Sequence, residues 1–200
     1  MTAGEVQELQ QALKRQDWPR AETLLRGLIE SSGGQQAGLH YNLGLVLRRQ
    51  HKETPALAAF DAALSRDPNH PSAGFERAAL LLDTGDHAGA EAGFRAHLAL
   101  DPGDRDARLN LARLALRREA AAEAMELAGG DERAEALLVA VEALRDLGRL
   151  DEMQALASVM ASAIPGLKPV LLKILSQGPR GRLPLQAEVV FAPPGTSAPP

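Results

Sequence analysis

Apolar positions recur along this chain with a long, fixed period. Ala56 returns as Ala90, Phe60 as Phe94 and Asp67-Pro68 as Asp101-Pro102, each 34 positions on. Two periods, 68 positions, carry Asn42 to Asn110 and Leu43 to Leu111. A period of this length marks stacked supersecondary units, each with an apolar face that only its neighbour can cover. Breakers divide the chain into helix-sized segments between these positions. Residues 3–31 read as a first helix pair, turning at Gln16-Asp17, with Trp18-Pro19 opening its second helix and Gly33-Gly34 closing the unit. Proline suits a helix's first turn. Residues 37–70 and 71–104 are the central units. Pro68 and Pro102 end their second helices, because proline disfavours helix at the preceding residue and donates no N–H. Thr84-Gly85-Asp86 is the turn inside the 71–104 unit, with glycine supplying the backbone freedom. Residues 105–130 form a further pair whose short second helix stops at Gly129-Gly130. Residues 132–164 form another, broken at Gly148 and stopped by Pro165, and a last helix over 167–177 caps the stack.

In the unit 37–70, Leu43, Gly44, Leu47, Ala56, Phe60, Ala63 and Pro68 resemble the pattern of the tetratricopeptide-repeat (TPR) family. In 71–104 the matching residues are Ala78, Leu81, Ala90, Phe94 and Pro102, while Arg77 and His97 depart from it. The resemblance covers roughly residues 2–165 and is specific over 37–104. It implies an all-α fold: a right-handed α-solenoid of about five helix pairs plus a C-terminal capping helix, spanning 1–177, with 178–200 as a tail. In such a stack Gly44, Ala78 and Ala112 are small because the two helices of a pair approach closely there. Phe60 and Phe94 fill the wedge between helices, and Ala56 and Ala90 sit at the tight crossing.

The resemblance also implies a concave groove lined by the first helix of each pair. The candidate peptide-binding residues are Tyr41, Asn42, Leu45 and Arg48, then Phe75, Glu76 and Ala79, then Leu109, Asn110, Arg113 and Arg117. Asn42 and Asn110 share one unit position, and an amide offers two donors and an acceptor to a peptide backbone. Glu76 stands at that position in the unit between them. Arg48, Arg49, Arg113 and Arg117 read either as a basic lining for carboxylates or as a solvated helix face. Tyr41 and Phe75 read equally as an apolar platform or as packing inside the repeat. The carboxylate clamp of some TPR domains is not matched, since Tyr41, Leu45 and Asp106 occupy its positions.

Composition narrows the function classes. The chain has 200 residues, 45% of them apolar but only 3% aromatic, so its core is built mainly of Leu and Ala, strong helix formers. It has no cysteine, which removes disulfides, thiolate metal sites and a cysteine nucleophile. A net charge of −4 argues against broad nucleic-acid binding. Glu5 and Glu8 interrupt any leader-like start, and no apolar run reaches the length of a membrane span. A cytoplasmic protein is the expectation. His51, His70 and His87 fall at turns and read as exposed, and the five histidines lack metal-ligand spacing. No nucleophile elbow, phosphate loop or dinucleotide fingerprint is present. No enzyme activity, metal or cofactor is expected. The partner is a protein or peptide, neither nucleic acid nor membrane. The alternative is an accessory subunit of a modifying enzyme such as a glycosyltransferase, methyltransferase or sulfotransferase. The apolar residues Val170, Leu171, Leu172, Ile174 and Leu175 serve either a cap or a homodimer face. In the tail, 178–182 is a breaker-rich linker and Ala192–Pro200 reads as disordered. Leu183–Phe191 has β character, as a loosely docked extension, a short strand or a docking peptide for a groove.

Overall fold

The structure, a computed structural model, describes residues 3–178 and 181–182. Its helices form five consecutive pairs and a terminal helix, divided into two compact units at Gly103/Asp104. The first unit holds α1 (Ala3–Lys14), α2 (Trp18–Ser31), α3 (Ala37–Arg49), α4 (Glu53–Arg66), α5 (Ala73–Asp83) and α6 (His87–Leu100). The second holds α7 (Arg105–Arg117), α8 (Ala121–Ala128), α9 (Ala134–Asp146) and α10 (Leu150–Ala163). A 3-10 turn (Pro165–Leu167) and α11 (Lys168–Ser176) follow. The expected helix pairs are all present. After α11, β1 (Gln177–Gly178) pairs antiparallel with β2 (Gly181–Arg182). The stretch read as having β character, Leu183–Phe191, lies outside the described residues.

Aspartates start several of these helices by accepting the orphan N–H groups of the first turn. Asp17 accepts from the Arg20 amide at 3.1 Å, Asp86 from Gly89 at 2.9 Å, and Asp104 from Asp106 and Ala107 at 2.8 and 2.9 Å. His70 serves α5 in the same way. Its Nδ1 accepts from the Ala73 amide at 3.2 Å and its ring lies 4.8 Å from that of Tyr41. His70 is therefore half-buried and structural, not the solvated turn residue its position implied. His51 is exposed as expected.

All five pairs turn by one device. The first helix of each pair ends on a single left-handed residue: Gln16 (φ 58°), His51 (56°), Gly85 (88°), Glu119 (62°) and Gly148 (71°). The next residue's N–H then reaches back five positions, as from Asp17 to Ala12 and from Lys52 to Leu47. Asp86 to Leu81, Ala120 to Ala115 and Arg149 to Leu144 repeat it. This closes the last helical carbonyls. Only glycine takes that conformation without steric cost. Three of the five turns do without it.

In the first unit the pairs close on aromatic rings. Phe60 and Phe94 are fully buried. The α3 backbone at Gly44 lies directly over Phe60, where a Cβ would fall 2.5 Å from the ring. At the equivalent position α5 carries Ala78, and α6 yields instead, through Gly93, whose added Cβ would stand 2.8 Å from that of Ala78. Glu22 of α2 ties the first pair to the next turn, accepting from Lys52 Nζ at 2.7 Å and Gln50 Nε2 at 2.9 Å.

The second unit has a core of Leu109, Ala112, Ala115, Ala121, Ala124, Ala128 and Val139, with no aromatic ring among its described residues. Helix α8 has 8 residues where α4 and α6 have 14. The loop after it is pinned by Asp131, a buried carboxylate that accepts from the Arg133 guanidinium at 2.8 Å and also pairs with Arg105. Those two guanidinium groups, Arg133 foremost, hold it well below the usual carboxylate range. Helix α11 buries Leu171 and Leu175 with Val141, Ala157 and Met160, and Arg145 Nη1 donates to the Ile174 carbonyl at 2.7 Å. The helix thus caps the unit and leaves Val170 exposed.

Candidate functional site

Each unit carries a cleft between the first helices of neighbouring pairs. In the first unit a cleft of about 520 Å³ lies between α3 and α5, lined by Leu45, Arg48, Arg49, Glu53, Glu76 and Asp83 among others. One and two helical turns separate these residues along each helix, which is why they share a face. Arg48 crosses from α3 to α5, donating to Glu76 at 2.6 Å and to Asp83 at 2.6 Å. Its charge is therefore spent inside the protein, and the basic lining expected of Arg48 is corrected to an ion-pair bridge. Glu76, which interrupts the asparagine series, is there as one of its two acceptors. Asn42 and Ala79 are half-buried on the same two helices. The Asn42 amide makes no hydrogen bond among the described residues, so its donors and acceptor remain available.

Tyr41 and Phe75 settle on the packing alternative. The Tyr41 ring centroid lies 6.2 Å from Phe60, and Phe75 meets Phe94 edge-on at 5.5 Å and His97 at 5.6 Å. Both half-buried rings support the second helix of their own pair, so the platform reading is corrected. The two departures from the repeat pattern are thereby explained: His97 is buried against Phe75, and Arg77 pairs with Asp61 at 2.5 Å.

The second unit has a cleft of about 430 Å³ between α7 and α9, lined by Arg113, Leu116, Arg117, Glu135, Leu138, Val139 and Glu142. Arg113 is exposed and makes no hydrogen bond or ion pair among the described residues. Asn110, one turn before it, is half-buried with its amide equally unengaged. Leu109 is corrected to a core residue: it is 8% exposed and packs with Ala112 and Ala128. The α9 wall was missed by sequence reasoning. The short α8 shifts the register, so that Gly148 follows Glu119 by 29 positions instead of 34. Comparing these turn residues is the signal that could have found it.

A third cleft, of about 360 Å³, opens on the α2 and α4 side of the first unit between Ile29, Pro55, Ala58, Ala59 and Ala62, over Leu43 and Leu47. Among the described residues no helix is long and apolar enough to cross a membrane.

Solved structures share this architecture. A tetratricopeptide repeat protein from Parabacteroides merdae superposes with a TM-score of 0.77 at 19% identity, over 86% of this chain and 70% of that one. YrrB, described as a TPR protein with an unusual peptide-binding site, gives 0.68 at 18% identity over 76% and 80%. MamA gives 0.68 at 12% identity over 98% and 96%. No curated protein matches the sequence significantly. The tetratricopeptide-repeat family model matches residues 7–71, 54–105 and 75–129, well over half the chain. With five helix pairs closed by the same turn and a family model matching well over half its length, this all-α solenoid protein belongs to the tetratricopeptide-repeat family.

Proposed function

We propose that the protein is a non-catalytic interaction scaffold that holds an extended peptide segment of a partner protein on its first-helix faces. The observation that carries this is the pair of unengaged amides, Asn42 in the first unit and Asn110 in the second, each half-buried on a helix that walls a cleft. A half-buried amide with free donors and acceptor can exchange its water for a peptide backbone at little desolvation cost. The description of YrrB as peptide-binding supports the same use of the fold. Arg49 in the first cleft and Arg113 in the second are both exposed and make no ion pair among the described residues, so an acidic side chain has a guanidinium to meet in either cleft. The protein acts in the cytoplasm as a monomer. Burial of Leu171 and Leu175 supports capping by α11 over a dimer face, and light scattering at the monomer mass across concentration checks that.

The test is the double variant Asn42→Ala with Asn110→Ala, assayed against the partner recovered by affinity capture and mass spectrometry. A loss of affinity of about tenfold or more is expected, at roughly 1 kcal/mol per lost hydrogen bond. The melting temperature should barely move, since neither amide makes a hydrogen bond among the described residues. Unchanged affinity sinks the assignment.

A further inference from the structure

We propose that the apolar stretch Leu183–Phe191 (LPLQAEVVF) of this chain's own tail docks in the α7–α9 cleft of the second unit and competes there with outside peptides. The proposal rests on the reading of that cleft as a peptide site.

The end of α11, from which the segment departs, lies beside the cleft wall. Arg145 holds the Ile174 carbonyl at 2.7 Å, which fixes the end of α11 within one helical turn of Glu142 on the cleft wall. The β1–β2 pairing then reverses the chain immediately after α11. From Glu142 to Glu135 the wall is seven residues of helix, about 10 Å. Nine extended residues span about 30 Å, so reach does not limit docking.

The chemistry of the segment matches the cleft. In an extended chain alternate side chains share a face. Leu183, Leu185, Ala187, Val189 and Phe191 make one wholly apolar face, suited to Leu116, Leu138 and Val139 in the cleft. Glu188 is the single charged residue of 183–200 and lies on the other face. Arg113 is exposed at the cleft with no ion pair among the described residues, whereas Glu142 is already tied to Arg145 at 3.2 Å. A lone carboxylate above the apolar face thus finds a lone guanidinium, the pairing for which arginine's fork is shaped.

The absence of cysteine permits one nitroxide label on the full-length chain, at Ala192→Cys. The Leu138 and Val139 methyl signals should broaden several-fold relative to the reduced label, independently of protein concentration, while the Leu25 methyls in the first unit stay sharp. Val189→Asp and Arg113→Glu should each abolish the broadening, and Arg113→Glu with Glu188→Arg should restore it, with helix content monitored by circular dichroism. No broadening at Leu138 and Val139, or broadening that grows with concentration, overturns the proposal. Partner binding is read separately on the Asn110→Ala variant. If that variant still loses the partner while the label reports nothing, tail docking falls and the cleft reading stands.

Discussion

Gly44 over Phe60 in the first unit becomes, two periods on, Ala112 with Ala128 in the second. One pairing sets no side chain against a ring, the other puts two buried alanines in one core cluster. Between them, Ala78 and Phe94 keep the ring by hollowing out Gly93. The smaller the residue on the first helix, the larger the one it accommodates on the second, because helices pack at near-crystalline density and a contact tolerates neither a void nor an overlap. The alanine solution has a cost. Without a ring to span the wedge, the second unit shortens α8 and pins the following loop with the buried Asp131–Arg133 pair instead.

The largest effect is expected of Phe60→Ala, which leaves a ring-sized cavity beneath a glycine and should cost about 3–5 kcal/mol in thermal or denaturant unfolding. Ala128→Gly at the matching position should cost only about 1 kcal/mol, chiefly in helix propensity. Next comes Gly44→Ala, which drives a methyl into the Phe60 ring and should cost about 1–3 kcal/mol. Combining it with Phe60→Leu should cost less than the separate effects together, and strict additivity would show that the two positions do not share a contact. The turns give a smaller effect. His51→Gly and Glu119→Gly should each stabilise by up to about 1 kcal/mol, by relieving a left-handed residue with a side chain. Gly85→Ala should lose a similar amount at a site where the added methyl meets nothing.

Acid should weaken both units, the first before the second. Lys52 above all, aided by Gln50 and Arg26 against the opposing effect of burial, lowers Glu22 to about 2. Glu22 is thus ionised more readily folded than unfolded. Its contribution is fully present above about pH 4.5 and is lost as pH falls through 2. Asp131, held lower still, should keep its contribution further into acid. Melting temperatures of Glu22→Gln and the parent chain should therefore converge between pH 4.5 and 2, and parallel curves would remove Glu22 from the linkage.

Much of the fold was legible in the sequence because its signals are local or periodic. Pro68 and Pro102 stop helices whatever surrounds them, and a 34-residue recurrence of Ala and Phe requires a stack. The candidate site was less legible. Asn42, Leu45, Arg48, Asn110, Arg113 and Arg117 could be assigned to helix faces by periodicity. Whether Arg48 was free depended on Glu76 and Asp83, 28 and 35 positions away. Likewise Tyr41 and Phe75 stand at groove positions by count, and only the proximity of Phe60 and Phe94 turns their rings inward.

The sequence by itself determined the class, the number of helix pairs and the small-to-large complementarity within each pair, since propensity, breakers and period act along the chain. Only the tertiary structure decided which polar groups remain available. A charge or amide is spent or spared according to what folding brings within about 3 Å of it, and no local rule contains that distance. Thus Arg48 became a bridge, His70 a helix cap and Leu109 core, while Asn42, Asn110 and Arg113 make no hydrogen bond among the described residues.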